Sequence, residues 1–201
     1  ENFRLAPNNA TIMFPRERVP QSVLTMIDCQ NLTKQYGPLI AVDNMSFQVR
    51  PGEVLGFLGP NGAGKTTTMR IIAGFLPPTA GSASVCGFDV ETHATEAKRK
   101  IGYLPEGAPS YPEMTTQSFL EFIADSRDLM GTHRNKRLKE VFNLLHLEPV
   151  LEQTIDTLSK GYRRRVGLAQ AILHDPEVLI LDEPTDGLDP NQKHEVRELI
   201  N

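Results

Sequence analysis

Residues 59–66 read Gly59-Pro60-Asn61-Gly62-Ala63-Gly64-Lys65-Thr66, and this stretch decides the fold. It fits the pattern G-x-x-x-x-G-K-[S/T], whose glycines allow backbone N–H groups to turn inward around a phosphate chain. The Lys65 side chain can reach the β- and γ-phosphates, and the Thr66 hydroxyl can ligate Mg²⁺. Together with the next residue, Thr67, this stretch supplies the predicted phosphate contacts of a nucleotide.

The segments on both sides of this loop are typical of an α/β sheet. Residues 54–58 form a short apolar run, as in a strand that is covered on both faces. A helix is predicted from about Lys65 to Gly74, and the positive end of its dipole would face the phosphates. The loop is therefore expected between a buried strand and the start of a helix.

Two acids follow a second apolar run, residues 178–181. Ligands of open α/β folds bind at the edge where the strands end, so Asp182 is expected to hold Mg²⁺ through its water. Glu183 is one residue further along and can orient or deprotonate an attacking water. Acidic residues are also common at the surface ends of strands, where they have no catalytic role. That interpretation is weaker here, because the two acids occur in the same chain as a phosphate loop.

The remaining pattern divides the chain into an extension, a strand region and a helical region. Residues 1–22 are rich in proline, asparagine and charge, and we expect them to form a flexible extension. Alternating apolar and polar residues predict strands from residue 23 onward, including one over residues 81–90. Apolar residues at helical spacing predict that residues 113–173 are mostly helical, with a core that includes Phe119, Phe122 and Phe142.

Composition narrows the class of partner. The chain has 21 Lys and Arg against 25 Asp and Glu, a formal net charge of −4, which argues against bulk electrostatic binding to nucleic acid. No apolar run approaches the roughly 18 residues of a membrane helix, so a membrane would be reached through a partner.

Residues 163–165 are three arginines, for which a solvated helix face is predicted. Cys29 and Cys86 are interpreted as buried or incidental thiols.

Six segments, taken in order, resemble motifs of the ATP-binding cassette (ABC) family. Two of them are the loop at 59–66 and the acid-tipped strand at 178–183. Tyr36 is similar to the aromatic residue that stacks on adenine, and residues 101–106 are placed like the loop that senses the γ-phosphate. Two further segments resemble the family signature L-S-G-G-Q and the loop that crosses the dimer interface; they are Leu158-Ser159-Lys160-Gly161-Tyr162 and Thr185-Asp186-Gly187-Leu188-Asp189.

This resemblance covers roughly residues 24–201 and implies an α/β fold. A P-loop NTPase core with a mainly parallel sheet would occupy residues 23–112 and 174–201. It would carry an N-terminal antiparallel β subdomain and, in residues 113–173, an inserted helical subdomain with the signature.

The resemblance also implies an ATPase that uses ATP and Mg²⁺. Its catalytic residues would be Lys65, Glu106 and Glu183, and its metal ligands would be Thr66, Glu106 and Asp182. Two cassettes would pair head to tail, as a homodimer or with a related cassette, and each signature would bind the ATP of the other. Transmembrane permease subunits would be the partners. The chain would be cytoplasmic and bound peripherally to the cytoplasmic face of the membrane. No nucleic acid partner is expected.

Three residues depart from the usual family motifs. Lys160 stands where the signature has its first glycine, and Tyr162 stands where it has glutamine. With the arginines that follow, this version is similar to subunits of the ABC-2 exporter group. Glu106 stands where most relatives have glutamine, and its carboxylate keeps an acceptor for Mg²⁺ or water but loses the amide donors. The resemblance therefore favours export.

The C-terminal end differs as well. Relatives carry one more core strand that ends in a histidine, and no such strand occurs before Asn201. His194 comes too early for that role, on a helix predicted for residues 190–201. We therefore expect a truncated chain that binds nucleotide better than it hydrolyses it.

Two other functions remain as alternatives. One is a soluble ABC-type ATPase that acts on DNA or ribosomes, but such relatives carry a long coiled-coil insert or two cassettes in one chain. The other is a regulatory cassette that does not hydrolyse ATP, against which Lys65, Asp182 and Glu183 are all present.

Overall fold

The structure is a computed structural model that describes residues 10–13, 25–107 and 110–184. The described residues fall into two compact units. The core unit comprises the described parts of residues 9–103 and 176–182, and the helical unit comprises those of residues 104–175 and 183–201. Asp186, Gly187, Leu188 and Asp189 of the predicted interface loop lie outside the described residues, and so does the helix predicted for residues 190–201.

Among the described residues, four strands precede the phosphate loop, and both helices and strands follow it. The strands are β1 (Ala10–Met13), β2 (Ile27–Tyr36), β3 (Leu39–Val49), β4 (Leu55–Phe57), β5 (Ala80–Val85), β6 (Phe88–Asp89), β7 (Ile101–Leu104) and β8 (Val178–Leu181). The helices are α1 (Lys65–Ile72), α2 (Ala94–Lys100), α3 (Thr116–Ser126), α4 (Gly131–Leu144) and α5 (Lys160–Ile172), with 3₁₀ turns at Glu148–Val150 and Ile155–Thr157.

The strands form two sheets. One is antiparallel, in the order β3-β2-β5-β6, and confirms the predicted antiparallel subdomain. The other has the order β4-β1-β8-β7. In it β4, which precedes the phosphate loop, and β8, which precedes Asp182, are each antiparallel to β1 and therefore parallel to each other.

Strand β1 was not foreseen, because residues 1–22 were expected to be a flexible extension. Residues 10–13 instead pair with both neighbours, for example Thr11 with Gly56 and with Leu181. Two β-branched residues occur in this run of four, a composition that suits a pleated sheet. The strand gives hydrogen-bond partners to backbone groups of β4 and β8 that a buried sheet could not leave unpaired.

The single strand predicted for residues 81–90 is wrong, because the structure has a hairpin there. Strands β5 and β6 pair with Ser84 opposite Asp89 and Val85 opposite Phe88. The two residues between them, Cys86 and Gly87, both have positive φ, 51° and 82°. A two-residue turn with this handedness matches the twist of the strands that it joins.

The core unit is held together by aliphatic residues of α1 and of both sheets. Met69, Ile71 and Ile72 of α1 are buried together with Ile27 of β2 and Ile180 of β8. Each such side chain contributes about 1.5–3 kcal/mol relative to an exposed position. This packing holds α1, and with it the end of the phosphate loop, against the sheet. Cys29 lies in the same cluster, as predicted, and burial raises the pKa of its thiol to about 12.

The helical unit packs α3, α4 and α5 against one another. Phe119 and Leu120 of α3 are fully buried, as predicted. Phe122 is not a core residue, because 45% of it is exposed and its ring packs in a T-shaped arrangement with the ring of the exposed Tyr111. Three residues move a side chain by about 300° around the helix, so Phe122 lies 60° from Phe119 and falls on the margin of the buried face. Within the described ranges, none of the helices is both long and apolar enough to cross a bilayer.

Candidate nucleotide-binding site

The loop between β4 and α1 approaches the backbone of β3 more closely than any side chain would allow. Gly64 has φ +83°, and a Cβ placed on it would lie 2.2 Å from the carbonyl oxygen of Ala41. An L-residue here would be strained in its own backbone and would also collide with a rigid carbonyl. Glycine at this position is therefore required by the shape of the loop.

The start of α1 leaves backbone donors available at the end of the loop. Gly64 is the N-cap residue, and no side chain caps the helix. The first helical hydrogen bond runs from the Thr68 N–H to the Gly64 carbonyl, at 2.8 Å. The N–H groups of residues 65–67 precede it and have no acceptor within the helix, so together with the helix dipole they form a site for an anion.

Lys65 is the cation of this loop. Only 9% of the residue is exposed, and its Nζ donates hydrogen bonds to the carbonyl oxygens of Gly59 and Pro60, at 2.8 and 2.9 Å. These contacts hold the ammonium group against the first residues of the same loop. A phosphate oxygen is a stronger acceptor than a neutral carbonyl, so the ammonium can exchange these bonds for one to a phosphate.

Asp182 is brought to the loop by strand β8. The residue is 1% exposed, and its Oδ1 accepts a hydrogen bond from the hydroxyl of Thr66 at 3.3 Å. A buried carboxylate oxygen beside a hydroxyl oxygen is a donor set that suits Mg²⁺, which takes one or two protein oxygens and completes its shell with water and phosphate. The two residues predicted as metal ligands in the core unit therefore fit this ion.

Tyr36 lies at the end of β2 and is 46% exposed, as a residue that stacks on a base must be. The ammonium of Lys34 lies 5.3 Å from the centroid of its ring. A stacked base would therefore use the other face of the ring or displace this lysine. The remaining predicted contacts, Pro60, Asn61, Gly62 and Ala63, are exposed, and Thr67 is half-buried.

The predicted signature begins helix α5 of the helical unit. Ser159 is the N-cap residue, and its hydroxyl accepts a hydrogen bond from the Tyr162 N–H at 3.3 Å. Leu158 and Gly161 are buried, whereas Ser159 and Lys160 are exposed. The helix start expected from the sequence is therefore present, with a serine and a helix dipole directed toward solvent.

The other two predicted acids, Glu106 and Glu183, also belong to the helical unit. Glu106 is exposed and follows Pro105 at the end of β7. Glu183 has φ +50°, a left-handed conformation that costs a residue with a Cβ about 1–2 kcal/mol. Proline at position 184 restricts Glu183 further. Strained residues of this kind cluster at functional sites.

Arg164 was missed by the sequence analysis, and the prediction that residues 163–165 form a solvated face is wrong for it. Arg164 is only 7% exposed, whereas Arg163 is exposed. The helical period could have shown this, because Arg164 lies three residues after Gly161 and four before Leu168, which are both buried.

In the core unit, a glycine-rich loop between a strand and a helix holds a buried lysine, and its threonine bonds to a buried carboxylate. That arrangement defines a P-loop nucleotide-binding protein. The sequence model of the ABC transporter family matches residues 42–186. The chain therefore belongs to the ABC transporter family.

Curated relatives agree with this assignment. The chain is 36% identical over 177 residues to the probable multidrug ABC transporter ATP-binding protein YbhF of Escherichia coli, covering 88% of this chain and 31% of that protein. It is 40% identical over 168 residues to the Nod factor export ATP-binding protein I of Burkholderia pseudomallei, covering 84% and 55%. The chain thus spans about a third to a half of the length of the curated relatives that it matches.

A solved structure shows the same fold. The dimeric ATP-binding cassette MJ0796, in a post-hydrolysis state bound to ADP and Pi, superposes with a TM-score of 0.75 at 27% identity. The alignment covers 87% of this chain and 81% of that one. The predicted P-loop fold is therefore confirmed.

The close contact at Gly64 leads to a direct test. We expect Gly64→Ala to weaken ATP binding at least about tenfold, a loss of about 1.4 kcal/mol, because the added methyl group would push the loop away from β3. Gly52→Ala is the matched control, because Gly52 also has positive φ but a Cβ on it would meet no atom within 4 Å. Titration of a fluorescent ATP analogue measures both affinities. Equal affinities would contradict the assigned loop geometry.

Proposed function

We propose that this chain is the ATP-binding and ATP-hydrolysing part of an ABC transporter, and that ATP-driven closure of two such cassettes drives export. The observation that carries the proposal is the grouping of Lys65, Thr66 and the buried Asp182 at one loop of the core unit. Each of these residues has a separate task toward a triphosphate.

Residues 59–67 would bind the phosphate chain. The N–H groups at the start of α1 would donate to phosphate oxygens, and Lys65 would leave the carbonyls of Gly59 and Pro60 to bond the β- and γ-phosphates. Tyr36 would stack on the adenine ring. The ADP and Pi bound in the MJ0796 dimer support a nucleotide as the ligand of this fold.

Thr66 and Asp182 of the core unit would hold Mg²⁺. When bound, the ion would neutralise charge on the β- and γ-phosphate oxygens. Thr66 and Asp182 are already in contact through a hydrogen bond in which the hydroxyl is the donor. As a ligand, that hydroxyl would turn a lone pair to the ion.

Glu183 would orient the attacking water and accept its proton as the water oxygen bonds to the γ-phosphorus. The bond between that phosphorus and the bridging oxygen to ADP then breaks, and the products are ADP and inorganic phosphate. Glu106, placed like the γ-phosphate sensor, would accept a hydrogen bond from the same water. Positioning of this kind provides most of the catalysis in phosphoryl transfer.

A second cassette would complete the site. Ser159 and the N–H groups at the start of α5 offer donors and a positive dipole end to a γ-phosphate bound by the partner. Lys160 and Tyr162 would lie at that surface beside Ser159, and the buried Leu158 and Gly161 would support it from within the helical unit. Closure excludes water and strengthens each charge contact, and the dimeric state of MJ0796 supports such pairing.

Export through permease subunits is supported by the relatives, whose names describe multidrug transport, Nod factor export and bacitracin transport. The chain would act on the cytoplasmic face of the membrane, bound to its permease. A net charge of −4 gives no electrostatic reason to expect nucleic acid as a partner.

The role of Glu183 can be tested in the full-length protein. Glu183→Gln should lower ATP turnover by about 100-fold or more, the effect of losing a general base, while ATP binding is retained. In the presence of ATP, the Glu183→Gln protein should then form a stable dimer, which light scattering after size-exclusion chromatography detects. Glu148→Gln is the matched control, because Glu148 is exposed on a 3₁₀ turn. Equal turnover in the two variants, or a Glu183→Gln protein that stays monomeric with ATP, would contradict the proposal.

The membrane partner requires a separate experiment. We expect the tagged full-length protein, purified in detergent from membranes of its host, to bring with it a polytopic membrane protein whose presence raises the ATPase rate. An untagged preparation serves as the control. Recovery of the chain with ribosomes or DNA, and not with membranes, would favour the alternative ATPase function.

A further inference from the structure

One buried guanidinium in the helical unit contacts three carbonyl groups from two separate segments. Arg164 of α5 donates from Nε to the carbonyl oxygen of Pro184 at 3.0 Å and from Nη1 to that of Pro105 at 3.2 Å. Its Nη2 donates to the carbonyl oxygen of Glu183. Each arm of the planar group thus has an acceptor.

Burial makes these contacts significant. A charge that is 93% removed from solvent is unfavourable unless its donors are satisfied, and here three carbonyl oxygens accept from it. Arginine suits this task because its five N–H donors form a rigid fork, whereas lysine presents one point of charge. The fork therefore sets the positions of the three carbonyls relative to one another.

The three carbonyls belong to segments that carry proposed catalytic groups. Pro105 directly precedes Glu106, and the other two contacts are on Glu183 itself and on the residue after it. Arg164 lies on the helix that Ser159 caps. A single side chain thus connects the start of the signature helix, the backbone next to Glu106 and the backbone of Glu183.

Glu183 needs such support more than most residues do. Its φ of +50° lies in the left-handed region that residues with a Cβ seldom occupy, and a following proline narrows its options further. Conformations of this kind persist only where the surroundings over-determine them. The hydrogen bonds of Arg164 to the Glu183 carbonyl and to the Pro184 carbonyl hold the chain that follows the Glu183 Cα, and so contribute to that constraint.

We propose that Arg164 is a positioning residue for ATP hydrolysis: it holds the backbone of Glu183 in its left-handed conformation, so that the carboxylate is directed at the attacking water. The inference rests on the proposed role of Glu183. Arg164 itself touches neither nucleotide nor water in this account, so its loss should affect turnover and leave the phosphate loop of the core unit intact.

The test compares three variants of the full-length protein in steady-state ATPase assays. Arg164→Met should lower kcat about tenfold or more, as a small misplacement of a catalytic group does, with KM and ATP affinity within about twofold of the unchanged protein. Arg164→Lys should restore part of kcat, because an ammonium can reach one of the carbonyls. Arg163→Met is the matched control, since it makes the same change one residue earlier, at an exposed position of α5.

Three results would overturn the inference. One is a kcat for Arg164→Met equal to that of Arg163→Met. Another is loss of ATP affinity in both Arg164 variants, which would make Arg164 a support of the fold. The third applies if Arg164→Met alone fails to fold. In that case a normal kcat in Arg164→Lys contradicts the inference, whereas a reduced kcat with normal ATP affinity in that variant supports it. Glu183→Gln separates the two proposals, because undiminished turnover in that variant would refute the role of Glu183 whatever Arg164 does.

Discussion

The hydrogen bond between the Thr66 hydroxyl and the Asp182 carboxylate joins two segments that are 116 residues apart in the chain. It fixes the start of α1 against the end of β8, and the phosphate-binding donors and the proposed metal ligands share one place for that reason. Both partners are carried by elements whose positions are set by the aliphatic core between α1 and the sheets. The chemistry of the site thus depends on one polar contact that the surrounding apolar packing keeps in register.

The positions of the functional segments are set by backbone geometry as well as by side-chain contacts. The loop reaches this position because Gly64 passes within contact distance of the Ala41 carbonyl, and β4 and β8 stay parallel because β1 pairs with both. In the helical unit the same principle appears at Glu183, whose unusual backbone angle is held by hydrogen bonds to carbonyl groups. In each unit, functional side chains are directed by constraints on the backbone that carries them.

The sequence predicted those features whose cause is local. The phosphate loop, the start of α1 and the cap at Ser159 each follow from a few adjacent residues with a known geometric preference. The sequence did not predict strand β1. Its four residues have only moderate β-propensity, and their pairing with β4 and β8 depends on where the fold places those two strands. The turn after β5 was missed because Cys86 is an unusual residue for positive φ. The helical period indicates that Arg164 is buried, but its carbonyl partners could not be predicted because they lie 19, 20 and 59 residues away.

A double-mutant cycle on Thr66 and Asp182 tests the central contact most directly. ATP affinity would be measured for Thr66→Val, Asp182→Asn and the double variant, each with Mg²⁺ and with EDTA. We predict that both single changes weaken binding in Mg²⁺ but not in EDTA, and that the double variant loses little beyond the larger single loss, because both act through one site. Losses that simply add, or that persist unchanged in EDTA, would contradict a shared metal and phosphate site at these two residues.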